Sequence, residues 1–200
     1  MNRFAAFACI LLFGLASKGH AAAVVGKPAP PIELRDVDGK TVRLDSFKGK
    51  YVVLEWVNFG CPFVGKHYGS GNMQKLQKKY TDEGVVWLSI CSSAPGKEGY
   101  VTGSEAKELE AEKGAAPTRF LLDPKGKVGK AYGAKTTPHM FVINPKGVVV
   151  YNGAIDDKPS TKRDDVATAK NYLVAALDAS LSGKKVAMAV SQPYGCSVKY

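Results

Sequence analysis

Cys61 is the residue whose setting most invites chemistry. It follows the apolar run at residues 51–57, YVVLEWV, and is itself followed by Pro62. The run reads as a strand covered on both faces, and proline suits the first turn of a helix. A cysteine at such a junction faces unpaired backbone N–H groups and the positive end of a helix dipole, which favour thiolate over thiol. The bland alternative is a buried cysteine acting as a small hydrophobe, and the Cys61-Pro62 pair favours the nucleophile.

A nucleophilic thiol needs a second group to complete a redox cycle. Cys196 lies five residues from the end, in Pro193-Tyr194-Gly195-Cys196-Ser197. Thirteen extended residues from Gly183 would span on the order of 40 Å at about 3.3 Å each, so reach does not separate Cys196 from Cys61. Cys91, at the end of another apolar run, is the competing partner, and an external thiol is the third possibility. His67 and His139 with Cys61 would suit copper, but no paired C-x-x-C or H-x-x-H spacing supports a metal, and neither metal nor cofactor is expected.

The elements that position these residues can be read from periodicity. Alternating apolar residues on either side of Asp38-Gly39 make a β-hairpin. Residues 85–91, VVWLSIC, are a second buried strand; residues 120–122, 140–143 and 148–151 are further strands. Helices are expected after Pro62, resuming at Met73, Leu76 and Tyr80 beyond Gly69 and Gly71; from a Ser104 cap to Gly114; and from about Asp164 to Leu181. Residues 184–200 have no helical period and read as a tail, mobile or lying along the surface as an extra strand, with Val186, Met188 and Val190 its apolar content. Strands alternating with helices, plus a hairpin, give an α/β fold with a mixed central sheet.

The 200 residues, 45% hydrophobic and 23% charged, fit one globular domain and exclude collagen, low-complexity disorder and a polytopic membrane protein. Residues 1–23 read as a secretory signal peptide: Arg3, an apolar run at 4–16, then Ala21-Ala22-Ala23 as the cleavage site. About a dozen apolar residues fall short of the ~20 that span a membrane. Loss of Arg3 and Lys18 takes the net charge from +10 to +8, with 26 basic and 18 acidic residues left, and leaves Cys61, Cys91 and Cys196. The product is expected in the periplasm or secreted, not membrane-spanning, and not bound to nucleic acid because its lysines are scattered.

Residues 44–64, LDSFKGKYVVLEWVNFGCPFV, resemble the thioredoxin-like redoxins of the AhpC/TSA and TlpA type. The likeness continues through GKVGKAYG at 126–133 and TTPHMFVINPKG at 136–147, covering about residues 26–182. It implies a thioredoxin-like domain over residues 24–183, with residues 184–200 as a cysteine-bearing tail. It also implies that Thr137-Pro138 is a cis-proline loop facing Cys61 and, with Pro62, contacting substrate. Glu55, six residues before Cys61, matches a buried carboxylate of that family, whose burial raises its pKa and lets it take a proton from a thiol.

Two departures narrow the function. The site is Cys61-Pro62-Phe63-Val64, without the second cysteine of Cys-x-x-Cys. The peroxide-polarising Thr or Ser, Pro and Arg of a peroxiredoxin fall at Asn58, Leu54 and about Pro138. The leading expectation is an exported thiol–disulfide oxidoreductase with Cys61 as nucleophile, Cys196 as resolving thiol, a protein or small-molecule thiol or disulfide as substrate and an external thiol reductant. A peroxiredoxin-like antioxidant peroxidase is the alternative, with a copper-binding or non-catalytic module behind it.

Overall fold

The computed structural model describes residues 22–200, so the segment expected to be a signal peptide lies, through residue 21, outside the described residues. A hairpin opens the fold: β1 (Glu33–Asp36) pairs antiparallel with β2 (Thr41–Arg43) across Asp38-Gly39. Gly39 takes φ +76°, and the Asp36 carboxylate accepts from the Asp38 and Lys40 amides, closing the turn with side-chain chemistry the sequence supplies.

β3 (Val52–Trp56) is buried along its whole length and lies between β4 (Val86–Cys91), parallel, and β7 (His139–Ile143), antiparallel. With β5 (Arg119–Leu122) and β8 (Val149–Gly153), the sheet order is β2-β1-β5-β4-β3-β7-β8. A strand with neighbours on both sides and helices on both faces has no polar side, which explains the continuous run YVVLEWV.

Val53 of β3 and Val57 just beyond its end pack with residues of α1 (Pro62–Gly69), α2 (Asn72–Asp82) and α5 (Tyr172–Leu181). Even positions, Val52, Leu54 and Trp56, pack with the N-terminal segment, the hairpin and α4 (Lys127–Tyr132). A one-residue slip of β3 would exchange the two faces, so the alternation fixes the register that places Cys61. Among the described residues no helix is long and apolar enough to cross a membrane.

Two expectations need correction. The cap of α3 (Gly103–Lys113) is Thr102, not Ser104: the Thr102 hydroxyl accepts from the Glu105 amide while the Glu105 carboxylate accepts from the Thr102 amide, the reciprocal pair that Thr-x-x-Glu encodes. The C-terminal helix does not run from Asp164. Arg163–Thr168 is a 3-10 turn, Ala169 is extended, and α5 starts anew with the Asn171 side chain accepting from the Val174 amide. Pairing of Asp157 with Lys170 through backbone and side chain pulls the chain straight at that point.

The tail takes one of its two expected forms, lying along the domain as an extra strand. Met188 and Val190 are 42% and 64% exposed and do not hold it. Residues 189–191 instead exchange backbone hydrogen bonds with Asn152, and β9 (Cys196–Ser197) pairs antiparallel with β6 (Thr136–Thr137). Tyr200 closes the tail over Gly126 and Gly129, its hydroxyl donating to the Ala134 carbonyl at 2.8 Å; a Cβ on Gly129 would stand 2.6 Å from the Tyr200 hydroxyl. Ala23, placed at the end of the expected signal segment, is buried with its carbonyl accepting from Asn152.

Candidate active site

Cys61 is the N-cap of α1, and Pro62 is the first helical residue. The last residues of β3 deliver the chain to this point: Asn58 accepts from the Gly60 amide with its side chain and from the Cys61 amide with its carbonyl. Cys61 is 1% exposed, and its Sγ lies 3.0 Å from the Thr137 carbonyl oxygen. The Thr137-Pro138 peptide bond is cis, and both residues are buried; Pro62 is exposed.

Cys196 stands opposite Thr137 in the β6–β9 ladder, which brings its thiol beside Cys61, close enough for each to shift the other's ionisation. Gly195 makes this approach feasible. Its φ is +134°, and a Cβ there would overlap the Thr137 carbonyl oxygen, so a side chain would push the tail off the loop.

Burial works against a Cys61 thiolate, but hydrogen bonds from Cys196, Thr137 and the Val64 amide outweigh it and hold Cys61 below an ordinary cysteine. The Thr137 hydroxyl oxygen is buried without a hydrogen-bond partner among the described residues, which leaves its proton to turn toward that sulfur. Cys196 moves the opposite way, pushed up to about 11 by burial and by the neighbouring Cys61. Two thiols sharing one site lose their first proton as a pair, and the charge settles on Cys61. Such an arrangement can attack a disulfide sulfur and then close on itself.

Cys91 is placed differently: its thiol donates to the Gly99 carbonyl at 3.2 Å, and burial pushes its pKa up. Glu55 is fully buried, and burial raises its pKa. Its carboxylate accepts from Trp87 Nε1 at 2.8 Å, Ser89 Oγ at 2.9 Å, Tyr68 OH at 2.9 Å and Gln77 Nε2 at 3.2 Å. Those donors come from β4, α1 and α2, and neither cysteine is among them.

The structure does not assemble Cys61, His67 and His139 into a metal site. His67 spends its ring nitrogens on Asn72 and Tyr194, and His139 on the Lys135 amide and Asn152. No group of three or more His, Cys, Asp or Glu suited to a metal occurs among the described residues. A cavity of about 460 Å³ lined by Ile32, Leu44, Phe47 and Ile143 sits at the Val52 end of β3, opposite the Cys61 end, and contains none of the expected site residues.

Sequence reasoning missed a buried polar cluster next to the cysteines. Lys66 and Asp156 pair at 3.2 Å with both side chains at 1% exposure or less, and Tyr194 reaches into them from the tail. The only signal in the sequence is Tyr194-Gly195-Cys196, an aromatic and a glycine leading into the tail cysteine.

The chain has counterparts among known proteins. The AhpC/TSA family model matches residues 25–152. The chain belongs to the AhpC/TSA family. Among curated family relatives, the thiol-disulfide oxidoreductase ResA of Bacillus thuringiensis subsp. konkukian is 27% identical over 126 residues, covering 63% of this chain and 67% of that protein. An uncharacterized conserved protein from Geobacillus kaustophilus superposes with a TM-score of 0.75 at 29% identity, covering 88% of this chain and 92% of that one. The thioredoxin domain of a thiol-disulfide oxidoreductase from Bacteroides vulgatus superposes at 0.53 with 23% identity, over 74% of this chain and 98% of that one. The AhpC/TSA chain therefore has a thioredoxin-like fold, and it is a thiol-dependent oxidoreductase.

Proposed function

We propose that the protein is a two-cysteine thiol–disulfide oxidoreductase in which Cys61 attacks and Cys196 resolves. The observation that supports it is the register of β9, which sets the Cys196 thiol against the Cys61 sulfur. The Cys61 thiolate attacks one sulfur of a substrate disulfide R–S–S–R, forming Cys61–S–S–R and expelling R–S⁻. The Cys196 sulfur, deprotonated, attacks Cys61 Sγ, forming the Cys61–Cys196 disulfide and expelling the second R–S⁻. The substrate gains two electrons, the protein loses two, and the protein's two thiol protons end on the released thiolates. An external thiol reductant returns the pair to the dithiol.

Cys196 fills the role that the second cysteine of Cys-x-x-Cys would have, at the position Val64 occupies in this helix. The Thr137 carbonyl accepts from the Cys61 thiol, and Pro138 shapes the loop on which the tail strand lies. Pro62, exposed at the mouth of α1, is available to a substrate. Glu55, whose pKa is raised by burial, is the candidate proton acceptor beneath α1. Export is part of the proposal and rests on the apolar segment at residues 4–16 with its alanine cleavage site.

Thiol release from a disulfide substrate tests the mechanism. Cys61→Ser should abolish it, and Cys196→Ser should stop after one equivalent with the substrate half trapped on Cys61. Full turnover in Cys196→Ser would remove the resolving role. A peroxide substrate separates the antioxidant alternative: rapid sulfenate formation at Cys61 would favour it, with Asn58 Nδ2 as the amide donor while Oδ1 accepts from the Gly60 amide.

A further inference from the structure

Lys66 and His67 sit on α1, the helix whose N-cap is Cys61. Lys66 Nζ is buried, lies 3.2 Å from Asp156 Oδ2, and donates to the Lys158 carbonyl at 2.7 Å and to the Tyr194 hydroxyl at 3.0 Å. His67 Nε2 lies 3.2 Å from the same hydroxyl, and that hydroxyl donates to Asp156 Oδ1. Three polar groups thus converge on one phenol. Asn72 engages the other nitrogen of His67 at 2.9 Å and fixes the ring.

A buried ion pair is weak evidence for stability, because desolvation of both charges consumes most of the Coulombic gain. It does give direction. The unspent hydrogen-bonding capacity of Lys66 and Asp156 points at one site, and a phenol hydroxyl, which both donates and accepts, satisfies both. The Tyr194 ring also contacts Phe63 of α1, with centroids 5.9 Å apart. Lys66 and His67 of the socket therefore ride on the helix that Cys61 caps, and the phenol immediately precedes the strand that carries Cys196, with only Gly195 between them.

We propose that Tyr194 is a positioning residue: its hydroxyl, seated in the Lys66–His67–Asp156 socket, latches the tail so that Cys196 covers and faces Cys61. The proposal rests on the two-cysteine reading for its purpose, but not for its test. Cys61 is 1% exposed with the tail seated, so a small alkylating agent reaches it only from the unlatched state. Its rate then reports the unlatched fraction. Cys91 is equally inaccessible, at 4% exposure, but its partner is Gly99 and not the tail, so it reports general loosening of the domain.

The experiment is peptide-resolved iodoacetamide labelling of the reduced full-length protein. Tyr194→Phe keeps the ring and removes the hydroxyl; hydrogen bonds to charged groups are worth enough that Cys61 labelling should accelerate about tenfold. Cys91 labelling should not change. Gly195→Ala, which lifts the tail sterically, should accelerate Cys61 in the same way without touching the socket. An unchanged ratio of Cys61 to Cys91 labelling in Tyr194→Phe overturns the latch, whatever Gly195→Ala does; so does a parallel rise of both cysteines. Failure of the two-cysteine reading shows separately, as a wild-type protein that forms no Cys61–Cys196 disulfide with oxidised glutathione.

Discussion

Cys196 pairs with Thr137 across the β6–β9 ladder, and Thr137 is the residue whose carbonyl receives the Cys61 thiol. One threonine thus takes part in placing both sulfurs: its backbone sets the strand register of one, and its carbonyl and hydroxyl set the environment of the other. The relationship is tight because Gly195 has no side chain to hold the strands apart.

The charge balance at Cys61 follows from that contact. Titrated by alkylation rate in the reduced protein, Cys61 should ionise below an ordinary cysteine and Cys196 near 11. Thr137→Val keeps the shape of the residue and its carbonyl but removes the hydroxyl, so the Cys61 midpoint should rise. An unchanged midpoint would show that the Cys196 thiol and the helix amides suffice.

Glu55 makes a prediction about stability as well as turnover. Its folded pKa is raised above 4.5 by burial, so the folded chain keeps a proton that the unfolded chain has already released. Its contribution is most favourable below pH 4.5 and declines as pH rises through the folded pKa. Glu55→Gln should flatten that decline: urea midpoints of the variant should gain on wild type between pH 4.5 and neutrality. The same variant should slow turnover more than the first attack of Cys61. A parallel offset at every pH would place Glu55 as a carboxylate with an ordinary titration.

The two buried histidines act in the opposite sense. His67 and His139 are both depressed from 6.5 to about 4 by burial, so each stays neutral in the fold while the unfolded chain takes up a proton. Their contribution is fully present above pH 6.5 and is lost as pH falls toward 4, up to about 3 kcal/mol each at 1.36 kcal/mol per unit. The Asp156 carboxylate favours the His67 cation and Lys66 opposes it. Denaturant midpoints should drop between pH 7 and pH 5, and His139→Gln should reduce the drop. A constant offset between His139→Gln and wild type over that range would contradict the assignment.

Much of this was legible in the sequence because it is local. The run YVVLEWV and Cys61-Pro62 specify a buried strand and a helix start within a dozen residues, and Asp38-Gly39 specifies its hairpin. The Thr102-x-x-Glu105 box was also local, but Ser104 sat beside it as a competing cap. The anchoring of the tail was not legible. Its anchors are single residues, Tyr194 and Tyr200, that fit sockets built from Lys66, Asp156, Gly126 and Gly129, far away in sequence. A periodic pattern records burial on a face, whereas a residue filling one distant socket leaves no period. For the same reason the sequence favoured Cys196 but left Cys91 and an external thiol open as partners of Cys61, and the β6–β9 register distinguishes the two cysteines in position.

The most direct measurement of the central claim is a disulfide map of the protein after brief oxidation with oxidised glutathione, taken at low protein concentration. The two-cysteine account predicts one tryptic peptide pair joining Cys61 to Cys196 within a monomer, with Cys91 still alkylatable after denaturation. Cys196 recovered as a free thiol, or found only in bridges between molecules, would contradict it.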